Sequence, residues 1–224
     1  RDTDRSRGLG DVYKRQDLLF NIYDRRIVML NERLKKQIEF IKEIDKLKAI
    51  KRQTLLINED RAENDAEHSW HLGMLAFLLA EYSNENIDIL KTMKMTLIHD
   101  IVEIDAGDTY CYDEEGYKTK PDRESKAAER IFGMLPEDQY EELIGLWREF
   151  EDMKTPESKF ACVLDRLQPI LLNYSKGGVS WINHGVSREQ VRNRNLCTKE
   201  GSDELYNYIM SIIDSAADEG MLKK

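Results

Sequence analysis

Two of the chain's four histidines stand beside carboxylates inside apolar segments, in "AEHSW" at residues 66–70 and "TLIHDIVE" at 96–103. Residues three and four apart stack on one side of a helix, so His99, Asp100 and Glu103 are neighbours on one face of a predicted buried helix over 89–106. Burying an ionised carboxylate without a partner costs roughly several kcal/mol, so two acids there demand a cation. The helix's own lysines, Lys91 and Lys94, lie on its first turns. A divalent metal is the compact alternative, since imidazole and carboxylate are its usual ligands. Adjacent residues diverge by about 100° on an ideal helix, so an ion reached by both His99 and Asp100 needs further ligands from other helices. His68, at the start of the preceding helix, and Asp165, a lone acid in the apolar stretch "ACVLDRLQP", are the two candidates. Alone, His68 reads as a hydrogen-bonded core histidine and Asp165 as the partner of Arg166; the ensemble favours the metal.

The order His68, His99-Asp100, Asp165, with "RAENDAEHS" ahead of it and "HDIVEIDAGD" inside it, resembles the HD superfamily of metal-dependent phosphohydrolases. The nearest branch is that of the 5′-deoxynucleotidases, and the likeness spans roughly residues 45–175. The resemblance implies one divalent ion (Co, Mn, Mg, Zn or Fe) held by His68, His99, Asp100 and Asp165. It further implies Glu103 and Asp108 as the acids around the attacking water, and Arg61 as an arginine near the phosphate. Those enzymes carry an Arg-Trp pair ahead of the first metal histidine; "LKAIKRQTLL" offers Lys51 and Arg52 but no Trp, and "WINHGVSREQVRNRN" has no counterpart there.

The chemistry can be stated from the residues. A bound divalent ion acidifies a water and polarises phosphoryl oxygens, while a nearby acid orients or deprotonates that water. Arg61, helped by Lys118, Lys120 or Arg123, would neutralise the phosphate. The expected function is release of phosphate from (deoxy)nucleoside 5′-monophosphates. The rivals are an HD-type phosphodiesterase or triphosphohydrolase and, from another class, a non-catalytic helical assembly module with a structural metal. His71 reads as structural or as a support for the ligands, and His184 as a surface residue in a Gly-rich loop. Trp70, Phe77, Trp147 and Phe160 fit helical core positions, and Trp181 falls in a loop. Cys111, Cys162 and Cys197 are odd in number and form no CxxC pair, so they read as buried or idle thiols.

The elements that must position these groups are all helical. The expected fold is an all-α, HD-domain-like bundle with a long N-terminal helix and additional C-terminal helices. Apolar residues from Leu18 to Ile44 recur at helical spacing over 17–46, and residues 47–63 lack a clean period. A helix begins at Asp65, with Asn64 as cap and Glu67 as its reciprocal partner, and is apolar on nearly every side, which predicts a central element. After 89–106 come a polar loop over 107–121, helices over 122–134 and 136–152, and another from "TPESKF" to about Ser175, cut or kinked by Pro169. "KGGVSWINHG" reads as a loop, followed by helices opened by Ser187 and Ser202. No strand ladder and no repeat is evident.

A chain of 224 residues suits one domain, here residues 17–224 with the metal-site core at about 45–175. Residues 1–16, "RDTDRSRGLGDVYKRQ", look like the read-through of a sequencing adapter and are set aside as a non-native or disordered extension. Hydrophobic residues make up 41% and charged residues 34%, which excludes a disordered chain. No window reaches the length needed to cross a bilayer, and a cytoplasmic location is expected. The net charge of −9 argues against nucleic acid as a partner. The expected partner is a small-molecule nucleotide, with no membrane; a homodimer through a helical surface is left open.

Overall fold

The structure, a computed structural model, describes residues 31–223. The expected extension at 1–16 and the first part of the N-terminal helix lie outside the described residues. Residues 31–44 form α1, which tightens into a 3-10 turn at Asp45–Ala49. Then comes a hairpin of β1 (Lys51–Leu55) and β2 (Ala62–Asn64), paired antiparallel with Lys51 opposite Asn64 and Leu55 opposite Ala62. This corrects the expectation of no strand ladder. Alternation exists in "KRQTL", but its inward positions are Arg52 and Thr54, which meet acids rather than a greasy core, so hydrophobic periodicity does not register it.

Asn64 ends β2 and caps α2 (Asp65–Leu79) in the predicted box: the Glu67 N–H donates to Asn64 Oδ1 at 3.0 Å, and the Asn64 N–H to Glu67 Oε2 at 3.1 Å. The N-terminal end of α2, bearing His68, is thereby joined directly to the hairpin bearing Arg52. α2 is not enclosed by helices as its all-round apolarity predicts. Trp70 and Phe77, expected in the core, are 65% and 61% exposed, and Met74 and Leu78 are exposed beside them. Trp147 and Phe160 are buried as expected.

The predicted helix over 89–106 is broken at its chemical centre. α3 (Ile89–Ile98) gives way to a 3-10 turn at His99–Val102 and then to α4 (Glu103–Ala106). Gly107, at φ +74°, ends it with its N–H on Glu103 O. The expected loop over 107–121 is shorter: α5 runs Glu114–Phe132 with Pro121 inside it, opened by Asp113 accepting from the Gly116 N–H. α6 follows at Glu137–Asp152.

α7 (Pro156–Ser175) runs straight through Pro169. The proline still removes one intrahelical donor, the one that would serve the carbonyl of Asp165, four residues back. Gly177 and Gly178 at φ +69° then turn the chain into α8 (Val179–His184), which the sequence reading took for a loop. α9 (Arg188–Asn195), a 3-10 turn at Leu196–Glu200 and α10 (Asp203–Asp218) complete the order.

Two apolar clusters meet along α7. On one side Phe160, Leu164 and Leu167 pack with Leu72 of α2 and Ile209 and Ile213 of α10; on the other Ala161 joins Met95, Ile131, Phe132 and Phe150. Each such fully buried large side chain contributes about 1.5–3 kcal/mol, and together they fix α7, which carries Asp165, against α2, which carries His68, and α3, whose end leads into the turn at His99. Among the described residues no helix is long and apolar enough to cross a membrane.

Candidate metal centre and cavity

The starts of α2 and of the 3-10 turn and the middle of α7 bring four predicted residues to one point. His68 Nε2 lies 3.1 Å from Asp165 Oδ1 and 3.8 Å from Asp100 Oδ2. His99 Nε2 lies 3.1 Å from Asp100 Oδ1 and 3.7 Å from Asp165 Oδ1. Both rings are buried, and the ligand atoms of His68, His99 and Asp100 lie within 4.8 Å of one another.

The outer nitrogens fix which atoms face inward. His68 Nδ1 is 2.9 Å from Gln168 Oε1, and Gln168 is held with its oxygen turned to the ring because its Nε2 donates to Glu63 Oε1 at 2.6 Å. His99 Nδ1 donates to the Thr96 carbonyl at 2.9 Å. With a proton on each Nδ1, both Nε2 atoms present their lone pairs to the two carboxylates, an arrangement that only protons or a cation make favourable. His99 Nε2 is buried without a hydrogen-bond partner. Burial pushes the His99 imidazole down, but Asp100 and Asp165 outweigh it and raise it to about 10. Asp165 is held well below the usual carboxylate range, its burial outweighed by the two histidines beside it and by Arg166. Two imidazole nitrogens and two carboxylates suit a divalent transition metal or Mg²⁺, so the donor set fits the ion.

A second layer was not foreseen. Arg52 donates from Nη1 to Asp65 Oδ1 at 3.1 Å and to Asp100 Oδ2 at 2.9 Å. The cation that the helix's own lysines do not supply comes in part from the hairpin. It does not balance them all, since Asp65 Oδ2 and Glu103 Oε2 are buried without partners. Burial, then Asp100, pushes Asp65 up to about 7; burial, Asp100 and Asp65 hold Glu103 well above the carboxylate range. Burial raises Asp108 as well.

The centre opens into a cavity of about 260 Å³. A water occupies about 30 Å³, so the space exceeds what an ion and its waters fill and admits an organic ligand. His99, Asp100, Glu103, Asp108 and Asp165 line it, together with Arg52 and Lys120. Tyr110, Tyr112, Trp181, Arg194 and Asn195 line it as well. Thus α8 and α9, whose segment "WINHGVSREQVRNRN" was expected to have no counterpart, contribute to its wall, and Trp181 is buried there.

Other expectations fare differently. Arg61 does not line the cavity; its guanidinium is spent on Glu67, at 2.9 and 2.7 Å, and on Glu59. Lys51 is exposed and also absent from the walls, because it alternates with Arg52 on the strand and so points the other way. Lys118 pairs with Glu115 outside, and Arg123 is bound to the Ala106 carbonyl and Thr109, bracing the turn after α4. His71 touches Gln168 from behind His68, and His184 packs on Tyr110 with its Nδ1 on Ser180 O. Gln168 was missed, though its place three residues after Asp165 on one helix face was the available signal. The carbonyl of Thr96 leaves no signal in side-chain identity at all.

This constellation has known relatives. The family model described as the HD domain matches residues 44–206, and the chain belongs to that family. It is 28% identical over 135 residues to the human 5′-deoxynucleotidase HDDC2, covering 60% of this chain and 65% of that protein. The Dictyostelium discoideum 5′-deoxynucleotidase HDDC2 is 31% identical over 144 residues, covering 61% and 75%. The chain thus spans less than two thirds of the length of its vertebrate relatives from human, zebrafish and cattle. Among solved structures, a predicted metal-dependent phosphohydrolase from Magnetospirillum magnetotacticum MS-1 is 49% identical with a TM-score of 0.83, covering 86% of this chain and 97% of that one.

Proposed function

We propose that this protein is a metal-dependent phosphohydrolase releasing phosphate from (deoxy)nucleoside 5′-monophosphates. The observation that carries the reading is the convergence of two inward-facing Nε2 atoms with Asp100 and Asp165 beside a ligand-sized cavity. The names of the relatives support the reaction class and the substrate.

In this reading His68, His99, Asp100 and Asp165 hold one divalent ion. When bound, it supplies Lewis acidity at the phosphoryl group and to a water. Glu103 takes the proton from the attacking water, and Asp108 orients that water. Arg52 holds Asp100 and Asp65 in place, and Lys120 and Arg166 on the cavity wall face the phosphate, in the role the sequence suggested for Arg61. The aromatic and amide groups of the lining, Tyr110, Tyr112, Trp181 and Asn195, receive the nucleoside. A net charge of −9 disfavours a polymeric nucleic acid, and a cytoplasmic setting goes with nucleotide substrates.

A second copy of the chain fits the bare face of α2 and α3. Trp70, Met74, Phe77, Leu78, Leu90 and Leu97 are exposed there, and α2 carries no Asp, Glu, Lys or Arg after Glu67. For a chain this acidic, an uncharged apolar face is where like copies can meet.

The test is to strip the protein of metal, refill it with Co²⁺, Mn²⁺ or Mg²⁺, and assay phosphate release across a nucleotide panel with chromatography of the products. Restored release from monophosphates is expected, lost in His99→Ala and Asp100→Ala. Pyrophosphate or triphosphate as product would favour the sister activities, and no turnover with any metal contradicts the reading.

A further inference from the structure

Cys162 and Cys197 are 35 residues apart in sequence, yet their sulfurs lie 3.8 Å apart. Cys162 is buried on the cavity-lining face of α7, three residues before Asp165 and four before Arg166, both of which also line the cavity. Cys197 is half-buried in the 3-10 turn Leu196–Glu200, outside the cavity lining. The two elements are locked together: a Cβ at Gly201 would meet Lys159 O at 2.6 Å and Val163 Cγ2 at 2.7 Å, so their backbones touch. Thr198 between them is fully buried.

We propose that Cys162 and Cys197 form a reversible thiol-oxidation site that takes a peroxide-class oxidant, and that their disulfide slows turnover in the adjoining cavity. A disulfide needs the sulfurs at about 2.05 Å, a closure that starts here from thiols already in contact at 3.8 Å. The two thiols differ in a way that assigns their roles. The hydrogen bond from Cys162, against the effect of burial and helped by Arg166, lowers Cys197 to about 6, while the same bond and burial hold Cys162 well above an ordinary thiol. Cys197, half-buried where Cys162 is buried, is also the thiol an oxidant reaches first, so it acts as the nucleophile and Cys162 as the resolving thiol.

The Cys197 thiolate attacks one peroxide oxygen; the O–O bond breaks, and the departing hydroxide takes up a proton to leave as water. Cys162 then attacks the sulfur of the resulting sulfenic acid, losing its proton as the S–O bond breaks and a second water leaves. Two thiols and one peroxide become one disulfide and two waters, and a dithiol reverses it. The cross-link ties the Leu196–Glu200 turn, which follows the cavity-lining Arg194 and Asn195, to α7 at Cys162, three residues before Asp165, and so stiffens the cavity wall. The effect on turnover rests on the phosphohydrolase reading; the cross-link does not.

The experiment treats the whole reduced protein with stoichiometric hydrogen peroxide, maps peptides by mass, and assays metal-loaded activity before and after dithiothreitol. A Cys162–Cys197 peptide lighter by two hydrogens is expected, with activity falling several-fold and returning on reduction. Cys197→Ser should keep its basal activity and lose its sensitivity to peroxide. Absence of the cross-link, or a link to Cys111 instead, overturns the site. A formed cross-link with unchanged turnover overturns its coupling to the cavity, and since the link is read by mass, a protein inactive on every nucleotide still tests it.

Discussion

His68 Nδ1 and Gln168 Oε1 lie 2.9 Å apart, and this contact determines which nitrogen of His68 faces the two carboxylates. Gln168 is itself oriented by Glu63 and touched by His71, so three buried or half-buried polar residues serve one imidazole. Gln168→Ala should lower divalent-metal affinity by about 10–100-fold while leaving the fold intact, as loss of such a supporting partner does elsewhere. Competition against a chromophoric chelator measures it, and an unchanged affinity would mean that the ring is oriented by packing alone.

Arg52 bridges Asp65 and Asp100 from one guanidinium nitrogen. Arg52→Met should destabilise the metal-free protein by about 3–5 kcal/mol in urea unfolding, because it leaves buried charge unpaired. Arg61→Ala, which breaks only surface pairs with Glu59 and Glu67, should leave metal content and turnover near those of the parent.

Asp65 is raised from 3.8 to about 7 by burial and by Asp100. Between those values the folded chain keeps a proton that the unfolded chain has lost, so this group subtracts stability progressively as pH rises from 3.8 toward 7. Asp65→Asn should therefore be the more stable protein at pH 7, with an advantage that shrinks as the pH is lowered to about 4. Paired urea titrations of the metal-free proteins check this, and an advantage independent of pH would assign the effect to packing.

The apolar face of α2 and α3 carries its own test. Trp70→Glu and Phe77→Glu should convert a dimer to a monomer in light scattering without changing helical content. A parent that is monomeric at high concentration would remove the second copy as the occupant of this face.

Much of the fold was legible because helices announce themselves locally. Caps at Asn64, Thr155, Ser187 and Ser202 were set by short polar motifs, and the run from Phe160 to Leu172 by helical spacing. What escaped depended on partners distant in the chain. The hairpin was hidden because Arg52 and Thr54 turn inward to acids, so its buried face is polar. The bare side of α2 was hidden because apolarity says that a face wants cover without saying what covers it. The break at His99 was invisible for a like reason: "TLIHDIVE" has an unbroken helical period, and only the coordinates reveal the tightened turn.

The candidate site was read in the same uneven way. His68, His99, Asp100 and Asp165 could be gathered because acids in apolar segments are costly and so conspicuous. The basic groups are common on any surface, and whether Arg52 or Arg61 turns inward is decided by strand alternation and by Glu67, neither of which spacing alone displays. Part of the lining belongs to α8 and α9, which follow a turn at Gly177 and Gly178 and bring Trp181, Arg194 and Asn195 to the same cavity as residues 108–112.

Crystals grown with Mn²⁺ or Co²⁺ and measured at the absorption edge address the central claim directly. An anomalous peak at about 2.0–2.2 Å from His68 Nε2, His99 Nε2 and one oxygen each of Asp100 and Asp165 is the predicted result, with a position left open toward the cavity. No peak there at saturating metal, or one bound only by surface acids, would contradict it.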